Sequence, residues 1–497
     1  MTAVAMSPRR LVRRSARLPW GAAVPFAAAG RLLRLEMRRN VMIWVLPLLC
    51  ALFWFDAYRT AMSYPAVWDL RASVMPDKVV IDFATFVAGA SAWMGSRETR
   101  CCAADLVTTT GRPGWARLSA TLAATLAWVM AGYLACVAVL YGATAAQATW
   151  GTPPWWPVAV GAAALAAACA AGFAAGASFA NRFVPWLTAV TVFGLEVAGF
   201  RSAVGVSDGY RLLSPSASVP GQDTGLFHPY LPDLAIAQVM FLTGLAVAAL
   251  GALGLSRAAG AGIRLRCAAA AVAVAGLAAA GVATGLVGTA RAGPDGVVIG
   301  VLHDAASDHP VPYTPVCADP TGVPVCIHPA FRPYLAEVTA ALRPALSLLA
   351  GLPGAPVRVS EVATSLVAST NQQAEVAGRP PVYDFAMPPT PGSLVRTAGE
   401  NFTQSLQIAF VTTVIGGSAP GPNGPETGDL AQQAVETVLL RQVAPELTND
   451  TLGPPGSAAA VAAIGRFAAL SPAARHAWLA GHLGALQAGR ITLEELP

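Results

Sequence analysis

Seven apolar runs constrain this chain more than any other feature. They cover residues 41–55, 79–94, 118–143, 157–180, 183–200, 234–255 and 267–287. A bilayer core of about 30 Å takes roughly 20 residues of helix, so four of the runs have full spanning length. The runs at 41–55, 79–94 and 183–200 are short and need flanking residues or a thinned bilayer. Charged residues make up only 12% of the chain, against roughly 25% in a soluble domain. The expected fold is a polytopic α-helical membrane protein.

Charge divides the chain in two. Residues 1–290 hold 22 Lys and Arg against 11 Asp and Glu, and residues 291–497 hold 10 against 16. A basic membrane half and an acidic C-terminal half are different environments. With the N-terminus inside, seventeen basic residues fall in cytoplasmic segments and five in outer ones. The positive-inside rule then orients the spans and puts residues 291–497 outside the cell. The N-terminal stretch 1–30 reads as an uncleaved basic leader, because Pro25 breaks its apolar run and RLLRLEMRRN follows at once. Residues 31–40 set Leu32, Leu33, Leu35 and Met37 among Arg31, Arg34, Arg38 and Arg39, a pattern suited to a helix lying on the inner membrane surface.

Between the second and third runs lies a polar island at 96–118, SRETRCCAADLVTTTGRPGWARL. A short charged segment on the cytosolic face can dock in a groove of a soluble partner. Arg97, Glu98, Arg100 and Asp105 would supply ion pairs, and Leu106 and Trp115 apolar anchors. The competing reading is an ordinary basic loop touching lipid headgroups.

Other chemistry is sparse. Lys78 is the single lysine, and it stands in VMPDKVV with no glycine nearby, so no Walker A loop is present. Neither HExxH nor GxSxG occurs. The chain is therefore expected to be no enzyme and to hold no cofactor or metal. His303, His309 and His328 read as surface residues, and the acidic outer half argues against nucleic acid. Ionisable residues inside spans are candidates for function. Asp56 and Asp82 are placed near the outer interface. Glu196 sits deeper; it either pairs with Arg201 or headgroups, or lines a pathway. Cys50, Cys136, Cys169 and Cys267 read as small buried hydrophobes. Cys101 and Cys102 stay reduced if the island faces the cytosol. Cys317 and Cys326 fall in an oxidising compartment and are expected to be bridged, stabilising by about 2–3 kcal/mol.

The strings LLRLEMRRNVMIWVLPLL at 32–49 and VAGASAWMGSRETRCCAADLVTTTGRPGWARL at 87–118 resemble the permease subunits of actinobacterial ABC-2 type transporters. The resemblance covers roughly residues 30–255. It implies an amphipathic interface helix, six spans, a coupling helix at 96–110, a dimer of permeases (homo or hetero) and a separate ABC ATPase as partner. The chain departs from that pattern after residue 258, where a seventh span and some 200 further residues follow.

The resulting division is a leader and interface helix at 1–40, a six-helix membrane domain at 41–258, a seventh span at 259–290, and an extracytoplasmic α/β domain at 291–497. In that domain VVIGVL (297–302), VRVSEV (357–362) and VYDFA (382–386) read as strands. Residues 329–350, 430–443, 458–470 and 472–488 read as helices, the first kinked or split at Pro344. The order of elements loosely resembles zinc metallopeptidase domains fused to some bacterial permeases, without the zinc motif. The leading expectation is an ABC-type exporter permease in the bacterial cell membrane. The alternatives are a non-transporting sensor acting through its outer domain and a membrane-tethered hydrolase.

Overall fold

The computed structural model describes residues 26–100, 114–179, 181–203, 205–215, 226–257, 263–293, 296–363, 374–378, 380–387, 402–416, 427–445 and 457–497. Residues 1–25, Cys101, Cys102, Asp105, Leu106 and residues 417–426 lie outside the described residues.

Helix α1 (Phe26–Arg38) precedes the bundle. Seven helical stretches then run between the two ends of the bundle. They are α2 (Met42–Ser63), α4 (Val80–Gly95), α6 (Gly114–Ala145), α7 (Trp156–Ser178), α8 (Val184–Ser202), α9 (Asp233–Arg257) and α10 (Ile263–Gly288). The short helices α3 (Trp68–Val74) and α5 (Arg97–Arg100) flank α4. Among the described residues five helices are long and apolar enough to cross a membrane: α2, the part of α6 from Arg117, α7, α9 and α10. This is a polytopic helical membrane protein. The first stretch is longer than its apolar run, because a π-helical turn at Phe53–Tyr58 carries the helix on to Ser63. That turn places Asp56 inside the helix, seven residues before its end.

Helices in lipid gain little from burying apolar surface, so they pack by close backbone approach at small residues. This bundle follows that rule. A Cβ on Gly172 would strike the Ala88 backbone, one on Gly176 the Ala92 backbone, and one on Gly95 the Phe173 carbonyl. The α4 and α7 backbones therefore lie against each other along the lower half of α4. Helices α9 and α10 meet in the same way through Gly244, Gly251 and Gly276. At the end away from the C-terminal domain, Met94, Leu118, Phe173, Ala177 and Leu253 close the bundle. Cys136 and Cys169 are buried as expected, but Cys50 and Cys267 are exposed: they stand on the outer faces of α2 and α10, where a membrane bundle presents apolar side chains to lipid.

After α10 a hairpin of β1 (Arg291–Gly293) and β2 (Gly296–Val298) caps the bundle. The expected strand at 297–302 is thus short and stays out of the main sheet. That sheet orders β3 (Val316–Ala318), β4 (Val325–Ile327), β5 (Arg358–Glu361), β7 (Val382–Phe385) and β6 (Ala374–Ala377) side by side. Strand β4 is parallel to β5 and β5 to β7, while β3 and β6 are antiparallel edges. Cys317 faces Cys326 across β3 and β4, and the two are bridged.

Helix α11 (Leu335–Leu349) connects β4 to β5 and lays Val338, Leu342, Leu346 and Leu349 on the sheet. It stays helical through Pro344; the break falls earlier, where Pro329–Tyr334 forms a 3₁₀ turn. Gly351, at φ 76°, ends it in the left-handed conformation that suits glycine. Helices α12 (Phe402–Gly416), α13 (Thr427–Val443), α14 (Ala458–Ala469) and α15 (Pro472–Gln487) add Phe410, Val435, Phe467 and Leu483 to the same core. The sequence pattern gives no sign of α12 or of strands β1, β3, β4 and β6.

Gly176→Leu is expected to cost about 1–3 kcal/mol by overpacking and to lower the melting temperature in detergent. Gly281→Leu, with open space around it, should leave it unchanged; equal melting of the two variants would contradict the close-packed interface.

Candidate functional site

Two ends of the bundle carry the polar chemistry. At the end away from the C-terminal domain, α1 is tied down by its neighbours. Trp128 Nε1 donates to the Met37 carbonyl at 3.0 Å, and Asn40 Nδ2 donates to Thr125 Oγ1 at 2.9 Å. Asn40 Oδ1 also accepts from the Met42 amide, which starts α2. Arg31, Arg34, Arg38 and Arg39 are exposed while Glu36 is buried. The buried Glu36 pairs with Arg97 of α5 at 2.9 Å. Glu98 faces Arg117, at the start of the apolar part of α6, at 3.8 Å. Arg100 stacks on the Trp93 ring at 3.4 Å and donates to the Trp93 carbonyl. The segment at 96–110 forms an elbow between α4 and α6, and its described part is one helical turn whose three charged side chains fold it back onto the bundle and α1. Trp115 is 57% exposed.

The structure therefore brings Arg97, Glu98 and Arg100 together and joins them to Glu36, Trp93 and Arg117. Sequence reading missed Glu36 as their partner. Its one signal was a lone carboxylate among four arginines.

At the other end the C-terminal domain is seated on the loops of the bundle. Val67, Leu226 and Phe227 belong to the same buried cluster as β4 and α11. The Val311 amide donates to the Phe227 carbonyl at 2.7 Å. His328, expected on the surface, is wholly buried. Its ring lies 4.9 Å from Trp150, 5.2 Å from Phe227 and 4.5 Å from Tyr313. Two of those three rings come from the bundle. His328 Nδ1 accepts from the Ala330 amide, capping the 3₁₀ turn, and its own amide donates to the buried Glu361 at 2.6 Å. The proton therefore sits on Nε2, which has no partner of good geometry and feels only the Leu226 backbone. Burial pushes His328 down to about 4.

Nearby, Asp233 at the start of α9 accepts from the Ile299 amide at 2.8 Å and lies 3.4 Å from His303. His303 is raised above its usual value, chiefly by its hydrogen bond to Asp308. His309 is exposed, as read.

Toward this end also lie the ionisable groups of the helices. Lys78 and Asp56 pair at 3.7 Å. Glu196 is only 6% exposed and its Oε2 has no hydrogen-bond partner. It makes no ion pair with Arg201 among the described residues. No group of three His, Cys, Asp or Glu side chains is placed to hold a metal ion among the described residues. No family model, curated protein or solved structure matches this chain.

Above pH 6.5 His328 is neutral whether or not the domain is seated, so it contributes no pH dependence there. Below it, a freed histidine takes a proton that the buried one refuses until about pH 4. Seating should therefore weaken by up to about 1.4 kcal/mol per pH unit across that window. His303 acts in the opposite sense, since its folded form holds the proton more tightly. Proteolysis of the domain followed from pH 7 to 4.5 should accelerate less in His328→Asn, which keeps a cap but cannot titrate. Identical pH profiles would contradict the role of the buried imidazole.

Proposed function

We propose that this chain is the permease subunit of an ABC-type exporter, driven by a separate ATPase that docks on the elbow end, and that it works as a dimer of permeases. In this reading seven spans cross the cell membrane, the elbow lies in the cytoplasm and residues 291–497 lie outside. The observation that carries the reading is the Glu36–Arg97 pair. A push on the elbow is useful only if it moves something, and this contact joins the elbow to the interface helix and hence to α6. The arginine excess at that end agrees with a cytosolic position. Trp115 offers an exposed apolar anchor to a partner.

A second reading, a non-transporting sensor, draws on the seam around His328, through which the outer domain could act on the bundle.

The test is a pull-down of the tagged chain from mild detergent, using the native protein, a triple Arg97→Ala, Glu98→Ala, Arg100→Ala variant and Trp115→Ala. A P-loop ATPase should copurify with the native chain and be lost from the variants. If none copurifies under conditions that preserve such complexes, the export reading fails and the sensor reading takes its place.

A further inference from the structure

The chain holds few charges at membrane depth, and they gather on one face. Asp56 lies fourteen residues along α2 from Met42, Asp82 lies thirteen from Gly95 at the far end of α4, and Glu196 lies twelve along α8 from Val184. At 1.5 Å per residue all three stand about 18–21 Å above the elbow end, inside a core of about 30 Å. Helix α4 packs against both α2 and α8, so the three helices form one face.

The charges act on each other in a chain. Asp82 feels Asp56 and Lys78, and Glu196 feels Asp82. Asp77 shares the π turn of Lys78, and Arg59 follows Tyr58, so four carboxylates stand against two cations and the face is electronegative.

Two further observations point to a ligand. Glu196 is more than nine-tenths buried, and its Oε2 has no partner. A buried carboxylate oxygen at this depth costs too much to be kept idle. The face also carries two π-helical turns, Phe53–Tyr58 and Met75–Val79, which pack against each other and present Asp56 and Lys78. Such turns are rare and concentrate at functional sites. The first turn is aromatic: Trp54 stacks on Tyr58 with ring centroids 4.8 Å apart, and Trp54 is 52% exposed. These rings stand on the opposite side of the turn from Asp56, two residues away in each direction, so this carboxylate lies on a helix whose other side is apolar and aromatic, a setting for a cation carried on an apolar body. The carboxylates do not converge on a point, which suits a large diffuse charge better than a metal ion.

We propose that this face binds a lipophilic organic cation, with Asp56, Asp82 and Glu196 supplying the negative charge and Lys78 the competitor that holds Asp56 until the ligand arrives. The proposal deepens the export reading by naming its substrate class, and it rests on that reading for its biological sense. Binding itself needs no ATPase, so the two fail separately.

The test is equilibrium dialysis of tetraphenylphosphonium against the purified full chain in lipid nanodiscs without nucleotide, with tetraphenylborate as an anion of the same shape. The phosphonium should bind saturably and the borate should not. Glu196→Gln and Asp82→Asn should weaken binding about tenfold. Lys78→Met should tighten it, a gain that damage to the fold would not produce. Asp56→Asn, at a half-exposed site, should weaken binding even if the buried variants fail to fold. Unsaturable uptake equal in all variants, equal binding of the borate, or weaker binding in Lys78→Met would overturn the proposal.

Discussion

The membrane half depends on the backbone contact between α4 and α7. Gly172 and Gly176 let the Ala88 and Ala92 backbones sit directly against α7, and Gly95 does the same against Phe173. In lipid no solvent pushes helices together, so this contact must come from shape. It fixes α4, the helix that leads straight into the elbow at Arg97. It also fixes the carboxylate face, because α4 carries Asp82 and packs on both α2 and α8. Packing, elbow and polar face are thus three consequences of one interface.

The two ends of the bundle use different chemistry. The elbow end relies on ion pairs and a cation stacked on a ring: Glu36 with Arg97, Glu98 with Arg117, Arg100 on Trp93. Exposed pairs of this kind are individually weak, but Glu36 is buried, and a buried charge without its partner is costly. The domain end relies on rings. Trp150 and Phe227 from the bundle and Tyr313 from the domain enclose a neutral imidazole. Such a joint stays shut while His328 is uncharged and loosens with acid. A domain seated in this way shares a core with the loops of the bundle, so movement at one is felt by the other.

Much of this was legible in the residues. Apolar runs announce helices of membrane length without any knowledge of partners, and among the described residues five helices have that length. The paired cysteines were readable because only Cys317 and Cys326 fall after the last run. What stayed hidden was set by distant partners or subtle backbone. Nothing in FWFDAY marks a π turn, yet that turn lengthens α2 to Ser63 and places Asp56 inside the helix. Strands β3 and β4 are three residues each, too short for alternation to show. His328 looked exposed because Trp150 and Phe227, which bury it, lie more than 100 residues away in sequence. Of the elbow, the charges were visible but their use was not: they hold the elbow to Glu36, Trp93 and Arg117.

The central claim is that the elbow and the α/β domain lie on opposite sides of one membrane, joined by the bundle. Protease accessibility in intact spheroplasts tests it most directly, with one epitope after Pro497 and another between Arg112 and Pro113. The account predicts that the first is digested at once and the second only after lysis. Digestion of both epitopes before lysis, or protection of both, would put the two ends on the same side and contradict it.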